Sequence, residues 1–162
     1  MKMQKLLRTL YFVTLSLCLL SCTAKKPATQ GDALLNIVNA DHLSLAVYNH
    51  DSLSTYHQRG VNDLLELLEN EPQRLKGAIV ADKIVGKASA SLLIVGDVKE
   101  LYTNIIATPA REMLEKAGIV VSAKEEVPMI LNRDRSGQCP MDQSLNGIDD
   151  PEECVAKMMQ EQ

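Results

Sequence analysis

Aromatic residues are scarce in this chain. They make up 3% of its 162 residues, with no tryptophan and a single phenylalanine, Phe12. A core without large rings must be packed from leucine, isoleucine, valine, alanine and methionine. Proteins that hold nucleic acid by base stacking use aromatic faces, and few are present to serve that role.

Positive charge is also in short supply. Lysine and arginine total 17 against 21 aspartate and glutamate residues, so the formal net charge is −4. Residues 1–21 carry Lys2, Lys5 and Arg8 and no acidic residue, so their removal would leave −7. A chain with this balance lacks the basic surface that binds a phosphate backbone. We therefore predict no nucleic-acid partner.

The chain has no apolar run of transmembrane length, because the run at 10–20 is too short. That run follows a positively charged start and ends in LLSC at 19–22, which is the pattern of a bacterial lipoprotein signal peptide. The sequence thus predicts a signal peptide at 1–21, a lipidated Cys22, a tether at 22–31 and one domain at 32–162. The expected location is the cell envelope, with the membrane as a partner through the lipid on Cys22.

Histidine is too sparse to suggest a metal centre. The three histidines, His42, His50 and His57, have spacings that fit no zinc pattern. We predict no metal site and no cofactor.

Two cysteines remain once Cys18 leaves with the leader and Cys22 carries lipid. These are Cys139 and Cys154. Cys139 has three open interpretations: a catalytic nucleophile, a buried structural residue, or half of a disulfide with Cys154 in an oxidising compartment.

Strand-like and helix-like segments alternate along the rest of the chain. A hairpin is predicted from strands at 43–48 and 53–57, followed by strands at 78–81, 101–107, 119–121 and 127–131. Helices are predicted at 33–40, 61–70, 84–95, 108–118 and 150–159, with Asp32 and Thr108 as N-caps of two of them. This order predicts an α/β fold with a mixed, mostly parallel sheet and an N-terminal β-hairpin.

Several motifs resemble known families. Residues 100–119 are similar to the cytidine-deaminase-like superfamily, in which a strand ends at a Pro-Cys-x-x-Cys helix start. The order of motifs at 77–88, 132–134, 139–141 and 148–153 resembles more closely the domain of unknown function 1893 family, which has that fold. This resemblance implies a three-layer cytidine-deaminase-like sandwich.

The chain departs from the deaminases at the residues that hold zinc. The two cysteine positions are Ala110 and Met113, and the preceding helix contributes no histidine or cysteine. Zinc deamination needs three such ligands and a separate glutamate. A zinc-dependent deaminase is therefore not expected.

Polar residues follow three predicted strands, at the ends where α/β proteins bind ligands. The candidates for ligand binding are Asp82, Lys83, Gly86, Lys87, Thr108, Asn132, Arg133 and Asp134. Lys87 and Arg133 beside helix N-termini would suit a phosphate or carboxylate. The plainer interpretation is that Gly86 allows close helix packing while Asp82 and Lys83 cap and solvate the helix start.

Three functional hypotheses follow. The leading one is a binding or accessory domain for a small anionic or nucleotide-like ligand. The second is a non-zinc enzyme that uses Cys139 in thiol or group-transfer chemistry. The third is an envelope interaction module, for which a homodimer is one possible form.

Overall fold

The computed structural model describes residues 29–161. The predicted signal peptide, Cys22 and all of the tether before residue 29 lie outside this range. Within it, no helix is long and apolar enough to cross a membrane.

Five strands form one mixed sheet in the order β2-β1-β3-β4-β5. The strands are β1 Leu45–Asn49, β2 Ser52–Tyr56, β3 Ile79–Val85, β4 Glu100–Ala107 and β5 Val120–Val127. The predicted α/β class, the hairpin and the parallel β3-β4-β5 unit are confirmed. Two of its four strand pairs are parallel, and β1 is antiparallel to both β2 and β3.

Helices cover both faces of this sheet. They are α1 Gln30–Ala40, α2 Asn62–Asn70, α3 Lys87–Val95, α4 Thr108–Lys116, α5 Pro140–Ser144 and α6 Pro151–Gln160. On one face, α1 buries Leu34, Leu35 and Val38 against alternate strand residues, among them Ala81 and Tyr102. The larger hydrophobic cluster lies on the opposite face. There, the strand residues that alternate with these pack against α2, α3, α4 and α6.

The hairpin turn has the predicted chemistry. His50 and Asp51 both adopt positive φ, at 46° and 57°. Two consecutive left-handed residues are the mark of a type I′ turn, whose twist matches that of the flanking strands.

The late strands were predicted wrongly as two short segments at 119–121 and 127–131. They are one strand, β5, which pairs with β4 along its length. Its exposed positions, such as Ser122 and Lys124, alternate with half-buried Val121 and Ala123, as expected at a sheet edge. Backbone pairing with β4 therefore outweighs the polar composition of this segment.

The predicted helix at 84–95 begins three residues later. Strand β3 continues to Val85, because Ile84 and Val85 pair with Ile105 and Ile106 of β4. Gly86 is then the N-cap of α3. Helix α5 was not predicted at all.

Both predicted N-caps are displaced. Thr29, and not Asp32, caps α1: its hydroxyl accepts from the Asp32 amide at 3.1 Å, and the Asp32 carboxylate accepts from the Thr29 amide at 2.9 Å. Helix α1 thus begins at Gln30, inside the predicted tether. Ala107, and not Thr108, is the N-cap of α4.

Candidate functional site

An open cleft of about 1050 Å³ lies at the edge of the sheet where β3 ends. The antiparallel pairing of β1 brings its first residue, Leu45, opposite both Asp82 of β3 and Tyr56 of β2. The start of β1 and the end of β2 therefore meet the carboxyl end of β3. The cleft is lined by residues from 42–44, 57–62, 82–84, Gly86, 88–89, 130–133 and 139–142.

Six of the predicted site residues line this cleft. They are Asp82, Lys83, Gly86, Asn132, Arg133 and Cys139. Three others, Lys87, Thr108 and Asp134, are absent from its lining.

The N-terminus of α3 is filled by a side chain of the protein. The Asp142 carboxylate, 5% exposed, accepts a hydrogen bond from the Ala88 amide at 3.0 Å. A Cβ atom on Gly86 would lie 2.0 Å from Asp142 Oδ2, so only glycine allows this approach. The expected anion site beside Lys87 is thus occupied internally, by a carboxylate that suits a helix N-terminus.

Burial raises the pKa of Asp142. Hydrogen bonds from the amides of Ala88 and Lys87 and the positive charge of Lys87 act in the opposite direction. The positive charge of Lys87 therefore stabilises the ionised form of Asp142, although Lys87 does not line the cleft.

Asp82 is a half-buried carboxyl that lines the cleft. Burial raises its pKa to about 7, and the nearby Asp63 carboxylate raises it further, while amides of Ile84 and Lys83 oppose the shift. The Ile84 amide donates to Asp82 Oδ1 at 3.2 Å. Near neutral pH, Asp82 can therefore either accept or release a proton.

Asp63 ties together the segments behind Asp82. It is 4% exposed, and its Oδ2 accepts from the Ser44 hydroxyl at 2.5 Å and from the Gln58 amide at 3.0 Å. These contacts join the entry to β1 with the exit from β2. Asp63 thus fixes one wall of the cleft.

Three cationic side chains, Arg59, Lys83 and Arg133, line the cleft from separate segments. We call them the rim cations. Arg59 and Arg133 are exposed, and Lys83 is half-buried. None of the three forms an ion pair with any of residues 29–161.

The loop that carries Arg133 is held by its own side chains. Asn132 accepts from the Gly137 amide at 3.3 Å and donates to the Ser136 hydroxyl at 3.0 Å. The Ser136 hydroxyl in turn donates to Asp134 at 2.8 Å, which lowers the pKa of Asp134. Asp134 thus shapes the loop from outside the cleft.

Cys139 lies half-buried in the cleft wall, with its amide donating to the Ile130 carbonyl at 2.8 Å. Cys154 is fully buried on α6, where its thiol lies 3.7 Å from the Ile148 carbonyl oxygen. Both are free thiols here, so the disulfide interpretation finds no support in the structure. Among the described residues, no group of three histidine, cysteine, aspartate or glutamate side chains could hold a metal ion.

Thr108 belongs to a different cluster, at the end of β4. Its hydroxyl donates to Glu126 at 2.8 Å, and Arg111 Nε lies 2.8 Å from the other Glu126 oxygen. Thr108 is therefore engaged in an internal contact.

Ala110 is fully buried in the core. It stands at one of the two positions where the resemblance places a deaminase cysteine.

Sequence reasoning missed His42, His57 and Arg59, which also line the cleft. Their positions could have been inferred from the predicted hairpin, because the start of its first strand and the end of its second lie side by side. Asp142 gave no such signal, since it reaches the Ala88 amide from 54 residues away in sequence.

These observations define an α/β domain with a cleft of mixed charge at the carboxyl end of β3. The chain belongs to the TM1506 family, the domain of unknown function DUF1893, which matches residues 33–162. This confirms the family predicted from the motifs.

A solved structure is also similar to this chain. It is the crystal structure, at 2.70 Å resolution, of a DUF1893 family protein (TM1506) from Thermotoga maritima. The two are 28% identical with a TM-score of 0.75, over 86% of this chain and 92% of that one. No curated protein matches this chain.

Proposed function

We propose that the domain binds a small anionic ligand, such as a phosphorylated or nucleotide-like compound, in the cleft at the end of β3. The observation that carries this proposal is the convergence of the rim cations, Arg59, Lys83 and Arg133, without ion-pair partners in residues 29–161. A chain with a net charge of −4 has many carboxylates available for pairing. Cations left unpaired around one cavity are therefore available to a ligand.

The chemistry of these side chains suits phosphate and carboxylate groups. Guanidinium groups bind such anions through two parallel hydrogen bonds, and an ammonium group adds a point charge. Arg133 is presented by the loop at 132–137, whose internal hydrogen bonds hold its backbone in place before a ligand binds. The apolar part of the lining, which includes Ile130 and Met141, would contact the uncharged part of the ligand.

The test is anion binding by two arginine variants from the same loop. Arg133 lines the cleft, whereas Arg135, two residues away and also exposed, is absent from its lining. Thermal shift and calorimetry of the full-length protein in detergent would use phosphate, pyrophosphate, citrate, AMP and CMP. We expect Arg133→Gln to weaken binding of the best anion about tenfold, and Arg135→Gln to leave it unchanged.

Two results would contradict the proposal. One is equal loss in both arginine variants, which would indicate a general effect of net charge. The other is the absence of any measurable binding across the panel to the unchanged protein.

We further infer that the sheet and its helices form the three-layer cytidine-deaminase-like sandwich implied by the resemblance. The placement of α1 on one sheet face, with the larger helical cluster on the other, supports this arrangement. Ala110 and Met113 leave its zinc position without ligands. In the envelope, the lipid on Cys22 would hold this binding domain at a membrane surface.

A further inference from the structure

One largely buried polar side chain lacks the protein partner that the others have. The buried polar or charged side chains of residues 29–161 are Asp63, Ser89, Ser91, Thr103 and Asp142. Four of them take part in hydrogen bonds with the protein. The Ser89 hydroxyl has no hydrogen-bond partner among these residues.

Ser89 faces the same cleft as the rim cations. It lies in the first turn of α3, is 5% exposed, and contributes to the cleft lining. Side chains buried to this extent usually have a hydrogen-bond partner in the protein. The Ser89 oxygen has none among the described residues and is still accessible from the cleft, so a ligand there can reach it. A polar group of a bound ligand would give the Ser89 hydroxyl the hydrogen bond that the protein does not provide.

Asp82 is the second group in this cleft with hydrogen-bonding capacity left for a ligand. The amides that act on it, those of Ile84 and Lys83, belong to its own strand, and it forms no ion pair within the described range. An ionised carboxylate can accept about four hydrogen bonds, so about half of its capacity is left for a ligand. We call Ser89 and Asp82 the floor pair.

Charges of both signs therefore meet in one cavity. The titratable and charged groups that share the cleft with Asp82 are His42, His57, Arg59, Lys83, Arg133, Cys139 and Asp142, and Asp63 lies behind it. A bare anion would satisfy the rim cations but would leave the floor pair unpaired and add repulsion from Asp82.

We infer that the floor pair is a subsite for the amino group of the ligand, so that the cleft selects small anions that also carry an amino group. This inference rests on the proposed function, because it assigns the second half of the same ligand. The anionic group lies among the rim cations, and the amino group donates hydrogen bonds to Asp82 and Ser89.

The experiment compares two phosphate esters that differ in one group. Phosphoethanolamine carries an amino group where ethyl phosphate has a hydrogen atom. Calorimetry on the full-length protein should give at least about tenfold tighter binding of phosphoethanolamine, as expected for a charged hydrogen bond. Binding should also release up to about half a proton near pH 7, because an ammonium group lowers the pKa of Asp82 from about 7.

Two serine variants on one helix locate the subsite. Ser89→Ala should weaken phosphoethanolamine binding about fivefold and leave ethyl phosphate unaffected. Ser91→Ala is the matched control, since the Ser91 hydroxyl donates to the Lys87 carbonyl at 2.9 Å. That variant should bind both esters as the unchanged protein does. Asp82→Asn should abolish both the preference and the proton release.

The outcomes separate this inference from the proposed function. Equal affinity for the two esters, or failure of both to bind while another anion of the panel does, overturns the amino-group subsite and leaves anion binding standing. A preference that survives Asp82→Asn also overturns it. Failure of every anion to bind overturns the proposed function as well.

Discussion

At the scale of single residues, the ionisation of Asp82 depends strongly on the fold. An aspartate in an unfolded chain titrates near 3.8, whereas burial raises the pKa of Asp82 to about 7. Its ionised form is thus disfavoured in the native state. A cost of this kind is typical of side chains that are retained for binding and not for stability.

This shift predicts a pH-dependent effect of Asp82→Asn on the free energy of unfolding. Between about pH 4 and pH 7 the unfolded chain releases the Asp82 proton first, so the native state loses stability as the pH rises. Near pH 4 the variant and the unchanged protein should therefore be about equally stable. At pH 8 the variant should be more stable, by up to about 4 kcal/mol.

Urea denaturation at pH 4.5 and pH 8 measures this difference. Asp149→Asn, which removes one carboxylate at an exposed position, is the control for the change in net charge. A variant that is less stable than the unchanged protein at pH 8 would show that Asp82 contributes favourable contacts when ionised.

At the scale of helices and strands, α6 illustrates how a local signal and a tertiary contact combine. Asp150 and Pro151 predict a helix start, and the Asp150 carboxylate accepts from the Glu152 amide at 2.9 Å. The helix then buries Cys154, Val155 and Met158 in the main core. Its cap fixes where this apolar face begins.

Removal of that cap should destabilise the domain measurably. We expect Asp150→Ala to lower the free energy of unfolding by about 1 kcal/mol, because the Glu152 amide loses its partner. Asp149→Ala removes the adjacent exposed carboxylate, which is not the N-cap of this helix, and should change stability by less than about 0.5 kcal/mol. Equal losses in the two urea titrations would indicate a charge effect and not capping.

Elements with strong local patterns were predictable from sequence, and those set by neighbours were not. The strand-like segments on either side of His50 and Asp51 predict the hairpin, and the apolar run at 101–107 predicts β4. Strand β5 has a polar composition and exists because β4 offers it backbone partners. Helix α5 is a short helix that brings the Asp142 carboxylate to the N-terminus of α3. With five residues, it is too short to show a helical repeat of apolar residues in the sequence.

At the scale of the whole molecule, the domain is proposed to work at a membrane surface. The features that support this are the positively charged start, the short apolar run and LLSC at 19–22, all of which precede the described residues. A lipid on Cys22 would add to the membrane affinity of the chain without any transmembrane helix.

Labelling with radioactive palmitate in bacterial cells tests this anchor. We expect the full-length chain to be labelled and to sediment with membranes, and Cys22→Ser to lose the label. Cys18→Ser is the matched control, because Cys18 lies within the predicted leader and should leave labelling intact. Labelling that persists in Cys22→Ser would contradict lipidation at that residue.

The sequence by itself determined the family, the α/β class and the hairpin, and six of its nine candidate site residues line the cleft. Those features follow from local patterns and from motifs that survive in order along the chain. Only the tertiary structure decided which polar groups share a cavity. It placed Arg59 and Arg133 on the same cleft, engaged the α3 N-terminus with Asp142, and left the Ser89 hydroxyl without a hydrogen-bond partner among the described residues. The physical reason is that hydrogen-bond satisfaction depends on neighbours distant in sequence, which no local pattern records.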